Sequence, residues 1–416
     1  MRERQTLLPV SFGPLQGVRI LSTGTWIAQP FAATLAAEMG AEVVQIERPG
    51  EGDEACRVQP DGLLLPTRQG GRVGCIFLQD RRCVFYVTLN FAHPKGRDLF
   101  LRLVPHFDIW MESSRPGTYA KYGLDDATVL RQNPRLVIVH VSGFGQNGHP
   151  DYIGRPSYDL IGQAFGGLMH LTGPPPPEPP TRAAPWTGDY ITALFALWSA
   201  LAGYIYARRT GVGQSIDLAQ YEAVHRCLAG TMVAYFQGGG IRQRRGNRAG
   251  ELQPYDAFHA ADGMVVIAVA NYSLFTKLCR VIGLHKDEQW MRTAHHHPDS
   301  EIGMEFDAHL RAWVIQRPAL EVERILNAQG IPCCRIMNAQ DMAEDPHYQA
   351  RGVHITWEDL QVGPIRGIGV VPHFSKTPGR VWRGTAPTGY DNTTVYGRLL
   401  GLSPQDIEAL QKEGVV

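Results

Sequence analysis

The sequence predicts an α/β protein in which a parallel sheet carries helices on both faces and a smaller α+β unit follows. Three observations predict it. From Gly17 to Gly145 short β-rich runs alternate with helical ones, the pattern of parallel strands joined by crossover helices. A separate β-rich run, "GMVVIAVAN", opens a helical region that reaches about residue 329. The chain's 416 residues, 44% apolar and 19% charged, suffice for the cores of two or three domains.

Taken in order, the candidate strands are "VRILST", "EVVQIE", "CVFYVTLN", "FDIWMES" and "LVIVHVSG". Between the first two lies "QPFAATLAAEMG", a helix with Pro30 expected at its first position and Gly40 at its end. "RPSYDLIGQAFGGLMHLTG" predicts an amphipathic helix whose glycines demand close packing against another backbone or a ligand. Residues 173–185, "GPPPPEPPTRAAP", can be neither helix nor central strand, so they form a stiff exposed loop. The long apolar helix that follows starts near Asp189 and ends at "ARRTG". "QGGGIRQRRGNRAG" reads as a mobile loop, and the tail as loop followed by a helix capped at Ser403.

Composition excludes several function classes. Forty basic and forty acidic side chains cancel, so bulk charge offers nothing to nucleic acid or to an anionic membrane. Seven scattered cysteines without a C-x-x-C pair predict reduced thiols, and no apolar stretch near Met1 is long enough for a signal peptide, so a cytoplasmic protein is expected. Residues 190–207 carry no charge and precede two arginines, as a membrane span would, but Thr192, Ser199, Gly203 and three tyrosines favour a helix buried in a large protein. After the first strand "STGTWIAQPF" lacks G-x-G-x-x-G, and no G-x-x-x-x-G-K-[ST] occurs, so no nucleotide cofactor is expected. "HHHP" at His295–His297 is expected to be a solvated loop, because three consecutive histidines point apart, and no metal site is expected.

Two acids remain. Asp189, following a glycine at the head of an apolar helix, suits an N-cap. The same place suits a nucleophile, since backbone amides and the helix dipole would hold its carboxylate ionised, and an ionised carboxylate needs no general base. Asp159 sits at the start of the glycine-bearing helix. Spacing does not choose between these roles.

Together "LQGVRIL", "IAQPFAATLAAEMGAEVVQIERPGEGD", "NPRLVIVHVSGFGQNG", "PSYDLIGQAFGGL", "TGDYITAL", "RRTGVGQSIDLAQYEA" and "PGRVWRGTAPTGYD" resemble, in this order, the class III CoA-transferases of the formyl-CoA transferase and L-carnitine CoA-transferase type, from about Phe12 to the C-terminus. The resemblance implies a Rossmann-like large domain, a small α+β domain and an interlocked homodimer. The expected boundaries are 1–225 for the first part of the large, CoA-binding domain, 226–330 for the small one, and 331–416 for the return. It also implies acyl-CoA and small carboxylic acids as partners, with coenzyme A entering as substrate. Activation is passed along rather than created, so neither ATP nor a metal is required.

By the same resemblance the aspartate of the "GD" pair, Asp189, is the nucleophile. CoA contacts fall on Thr25, Ile27, Arg48, Leu89, Arg115, Lys121 and Tyr158, where the cations suit phosphates. Asp159 is a secondary candidate that would orient Asp189, and Gly246 belongs to a loop at 238–250 expected to act as a lid, although the family's run of four glycines is missing. Thr25 and Ile27 replace the formyl enzyme's His and Gln. The α-methylacyl-CoA racemases share this fold, but Tyr158 stands where their histidine would be, and a tyrosine with a reference pKa of about 10 is a poor base for an α-proton. Sequence stretches resemble both crotonobetainyl-CoA:L-carnitine and bile-acid CoA-transferases, so either substrate type is expected.

Overall fold

The computed structural model describes residues 6–58 and 62–416, and the chain forms two compact units. The first comprises Met1–Leu168, Ala183–Gly230 and Ala350–Val416; the second comprises Met169–Arg182 and Thr231–Gln349. The chain passes to the second unit after 230 and returns after 349, where 225 and 330 were expected, and an unexpected excursion at 169–182 takes in most of the proline-rich stretch.

Six strands make the sheet of the first unit: β1 (Arg19–Ser22), β2 (Glu42–Glu47), β3 (Phe85–Thr88), β4 (Ile109–Glu112), β5 (Val137–Ser142) and β6 (Gln214–Ala219). They are parallel throughout and lie in the order β3-β2-β1-β4-β5-β6, with Leu21 opposite both Val44 and Trp110. This is the doubly wound arrangement, whose order reverses between β1 and β4. The five predicted strands are all present. The sixth, "QSIDLA", was not expected: it is a partly exposed edge strand whose alternation is short, with only Ile216 and Leu218 turned to the core before Ala219.

Alternation along each strand feeds two cores. Leu21, Val44, Phe85, Trp110 and Ile138 pack in one, whereas Ile20, Val43, Tyr86, Ile109 and Val137 pack in the other. The second core is closed by the alanines of α1 (Ala28–Glu38) and by a small-residue stripe on α4, which spans Thr187–Thr210. Ala193, Ala196, Ala200, Gly203 and Ala207 face the sheet, and a Cβ on Gly203 would come within 2.8 Å of Val137. The helix therefore lies close on the sheet only because that face is nearly flat. Its opposite face leaves Leu194, Trp198, Ile205 and Tyr206 exposed. Between these helices in sequence stand α2 (Pro94–Leu103) and α3 (Asp159–Phe165); α5 (Gln220–Arg226) follows β6 directly.

Pro30 occupies the third position of α1, after Ala28 and Gln29, rather than the first. Like the first, this position has no intrahelical acceptor for an N–H, so proline is tolerated equally. Gly40, at φ +93, ends the turn as expected.

In the second unit β7 (Tyr255–His259), β8 (Met264–Ala268) and β9 (Cys333–Arg335) form an antiparallel sheet. Four helices, α6 (Tyr272–Val281), α7 (Glu288–His296), α8 (Glu301–Ile315) and α9 (Ala319–Ala328), cover a core around Phe258, Phe275 and Phe306. The expectation of a solvated loop at His295–His297 is corrected here. His295 and His296 end α7, and His295 is fully buried, its Nδ1 2.6 Å from the Gln253 carbonyl oxygen. No metal-binding group occurs among the described residues.

The chain then returns to the first unit with the hairpin β10 (His354–Asp359) and β11 (Gly363–Ile368), and the helices α10 (Asn392–Leu400) and α11 (Pro404–Lys412). Ser403 caps α11 reciprocally with Asp406, as predicted; α10 was missed within a Gly- and Pro-rich tail. The N-terminal end of α10 closes the free edge of β3. Asp391 Oδ2 accepts from the Tyr86 amide at 2.7 Å, Asn392 Oδ1 accepts from the Thr88 amide at 2.9 Å, and the Tyr396 hydroxyl donates to the Thr88 carbonyl at 2.7 Å.

Candidate active site

In a doubly wound sheet ligands bind beyond the carboxyl ends of the strands where the order reverses. Here a cavity of about 240 Å³ lies at that point, lined by Thr25 and Trp26 after β1, Ser113–Arg115 after β4, Gly143 and Phe144 after β5, and Arg155, Ser157 and Tyr158 before α3. Its floor is set by tight backbone. A Cβ on Gly24 would overlap the Gln29 carboxamide, and Trp26 adopts a left-handed φ of 63, tied down by the Asp53 carboxylate, which accepts from its N–H at 3.1 Å. A non-glycine residue in that region is strained and persists only where its surroundings enforce it.

Of the seven residues expected to meet CoA, Thr25, Arg115 and Tyr158 line this cavity. Ile27, Arg48, Leu89 and Lys121 do not. The side chains of Ile27 and Leu89 are buried, Arg48 is exposed and pairs with Glu51 at 3.2 Å, and Lys121 is exposed. Six of the seven nonetheless share one rim, because Thr25, Ile27, Arg48, Leu89, Arg115 and Lys121 all follow the carboxyl ends of β1 to β4. A second cavity of about 330 Å³ adjoins it through Arg115 and is lined by Tyr119, Asp126, His140 and Asp217. Glu112 and Asp126 hold the two ring nitrogens of His140, at 2.6 Å and 3.1 Å, and push its pKa up to about 9 against the opposing effect of burial.

Beside the first cavity three helix starts converge. Asp189 is the third residue of α4, and its carboxylate caps no amide, so the N-cap reading fails. Instead Gln220, the first residue of α5, donates from Nε2 to Asp189 Oδ1 at 2.5 Å. Gln220 Oε1 in turn accepts from the hydroxyl of Ser157, a cavity-lining residue, at 3.1 Å. Asp159, at the start of α3, accepts the Asp189 backbone N–H at 3.1 Å and the Gln163 amide at 2.7 Å. It thus anchors the backbone of α4 at that residue rather than the carboxyl group. Glycines permit this closeness: a Cβ on Gly188 would meet Asp159 Oδ1 at 3.0 Å, and one on Gly162 would meet Gln220 Cδ at 2.6 Å.

Asp189 is 9% exposed and Asp159 2%. Burial, and next the negative charge of Asp159, push the Asp189 carboxyl up to about 7, while the Gln220 hydrogen bond pulls the other way. Burial thus works against the ionised state expected from the helix amides. The result is a nearly water-free acid that titrates around neutrality, with a neutral donor on one oxygen. Such a group can attack a carbonyl carbon, and a carbonyl built on it would find a donor already in place.

Sequence reasoning missed Gln220, Ser157 and Arg155. The glycines of the Asp159 helix signalled close approach there, but a glycine does not name its neighbour. Gly246, at φ +65, belongs to the second unit, where its N–H donates to the Gly173 carbonyl at 3.0 Å.

A model of CoA-transferase family III matches residues 15–392. The chain is 36% identical to the bile acid CoA-transferase BaiK of Clostridium scindens, over 97% of this chain and 90% of that protein. To the L-carnitine CoA-transferase of Proteus mirabilis it is 32% identical, over 97% of each. Among solved structures, a CAIB/BAIF family protein from Brucella suis matches with a TM-score of 0.81 and 28% identity, covering 94% of this chain and 100% of that one.

Proposed function

Because the chain belongs to CoA-transferase family III and is an enzyme of that family, we propose that it moves CoA between carboxylic acids through a covalent cycle on Asp189. The observation that carries this reading is the nearly buried Asp189 carboxylate with a single amide donor, linked through two hydrogen bonds, by way of Gln220 and Ser157, to a cavity at the switch point of the sheet. In its ionised form Asp189 attacks the thioester carbonyl of an acyl-CoA; the C–S bond breaks, leaving an acyl-aspartyl anhydride and CoA thiolate. The thiolate attacks Cγ of Asp189 and expels the donor acid, giving an aspartyl-CoA thioester. An acceptor carboxylate attacks the same Cγ and releases the thiolate, which then takes the acyl group from the new anhydride and restores Asp189. Each step exchanges one acyl bond for another, so no external energy enters.

CoA is proposed to lie along the rim after β1 to β4, with Thr25, Arg115 and Tyr158 in the cavity and Ile27, Arg48, Leu89 and Lys121 alongside. Arg155 is added to this set, since it lines the same cavity. The acids exchanged are proposed to be bile-acid-like or carnitine-like, after the relatives named above, and a panel of acyl-CoA donors against free acids decides between them. Seven unpaired cysteines support a cytoplasmic setting.

The test is mass spectrometry of enzyme quenched after mixing with acyl-CoA in the absence of an acceptor. A CoA adduct on the peptide containing Asp189 is expected. Product accumulating on addition of acceptor, with no adduct there at any time, refutes the cycle.

The enzyme is further proposed to be an interlocked homodimer. Support comes from the outer face of α4, where Trp198 is 58% exposed beside Leu194 and Ile205, an apolar stripe of the kind that marks an interface. Trp198→Lys is expected to lower the dimer fraction in analytical ultracentrifugation or to make the protein insoluble. A soluble variant with the wild-type sedimentation coefficient counts against the stripe as an interface.

A further inference from the structure

We propose that Gln220 is a catalytic residue: its carboxamide is the oxyanion donor for the two steps in which Cγ of Asp189 becomes tetrahedral. This rests on the covalent cycle above and adds to it the group that stabilises the aspartyl half.

The argument begins with which oxygen Gln220 holds. Nε2 lies 2.5 Å from Asp189 Oδ1, leaving Oδ2 as the oxygen that forms the new bond to the acyl carbon. In the anhydride Oδ1 is then the carbonyl oxygen of the aspartyl side. When CoA thiolate adds to Cγ, the electron pair of that carbonyl moves onto Oδ1, the C–S bond forms, and collapse breaks the Cγ–Oδ2 bond to release the donor acid. When the acceptor carboxylate adds to the aspartyl thioester, Oδ1 again takes the charge before the Cγ–S bond breaks. In both steps the starting oxygen is a neutral carbonyl and the transition state is anionic. A donor fixed at that oxygen therefore gains strength as the barrier is climbed, the differential binding that accelerates a reaction. The steps in which the substrate's own carbonyl becomes tetrahedral place no charge on Oδ1 and lie outside this role.

The amide is also preorganised. Gln220 is 5% exposed, its Oε1 is occupied by the Ser157 hydroxyl at 3.1 Å, and this orients the NH2 group toward Asp189. The backbone of α3 lies so close that any side chain at 162 would strike Gln220 Cδ. A cation in place of this amide would hold the carboxylate as an ion pair and weaken it as a nucleophile; a neutral amide makes no ion pair and weakens it far less.

Two variants test the proposal. Gln220→Met keeps length and apolar volume but has no donor, and it is expected to lower kcat roughly 10²–10³-fold, as loss of one oxyanion donor does elsewhere, with KM for acyl-CoA changed less than about threefold. The rate of aspartyl-CoA formation in quenched single turnovers should fall by the same factor. Gln220→Glu keeps the shape and donates only when protonated, so its activity is expected to depend on the pair Asp189 and residue 220 sharing one proton, giving a bell-shaped pH profile where the wild type shows a single rise. Wild-type kcat and adduct rate in a folded Gln220→Met overturn the proposal, as does a loss confined to KM. If the wild-type enzyme itself forms no adduct at Asp189, the covalent cycle fails and this role falls with it; an adduct that forms equally fast with and without the amide removes only Gln220.

Discussion

Asp189→Asn is expected to abolish CoA transfer, by at least about 10⁴-fold, while making the protein more stable above neutral pH. The two effects share one cause. Asparagine keeps the shape and still accepts from Gln220 through Oδ1 but cannot be acylated. The stability gain follows from linkage. The folded carboxyl titrates at about 7 and the unfolded one near 3.8, so between these values the native state holds a proton that the unfolded chain has lost. Stability therefore falls as pH rises from about 4 through about 7, and stays low above it. Asparagine does not titrate, so relative to wild type the variant gains up to about 4 kcal/mol at pH 8 and next to nothing at pH 4. Thermal melts at both pH values check this. Transfer retained by the variant, or a melting difference independent of pH, contradicts the assignment. The wild-type rate at low acyl-CoA should climb with pH through about 7, because only the ionised acid attacks.

Arg82→Met is expected to cost roughly 3–5 kcal/mol of stability. The Arg82 side chain is 1% exposed, its Nε donates to Glu38 at 2.6 Å, and its guanidinium stacks 4.5 Å over the Trp357 ring. Burial already raises the pKa of Glu38 with its partner present. Without Arg82 the carboxylate must stay charged in a dry site or take up a proton, so the loss shrinks as pH falls. Arg82→Met with Glu38→Leu should recover most of it, since no charge is then left unpaired. A single variant that melts like wild type, or a double variant no better than the single one, defeats this account.

Much of the fold was legible because the parallel strands are buried on both faces and read as short apolar runs. Pairing order was not, since β1 meets β4 only after some ninety residues of intervening chain. Strand β6 escaped because an edge strand need not be apolar, and α10 because Gly397 and the glycines and prolines before it mask helical periodicity. The site divides the same way. Asp189 stands out as a lone acid directly after a glycine, and Asp159 as the one acid of a glycine-bearing helical stretch. Gln220 is an ordinary polar residue at a strand-to-helix junction, and only the packing of α3, α4 and α5 gives its amide a purpose. The cap reading of Asp189 failed for a related reason: helix entry favours an acid in the first turn, but the tertiary partner decides where the side chain points.

The closing of β3 by Asp391, Asn392 and Tyr396 joins residues more than three hundred positions apart. At translation rates of about 5–20 residues per second, the ribosome needs on the order of 15 to 60 seconds to supply those side chains after β3 has emerged. During that interval the nascent sheet presents an unfinished strand to its surroundings. Holding chaperones, or slower growth in the cold, should therefore raise the yield of soluble enzyme more than changes made after synthesis is complete.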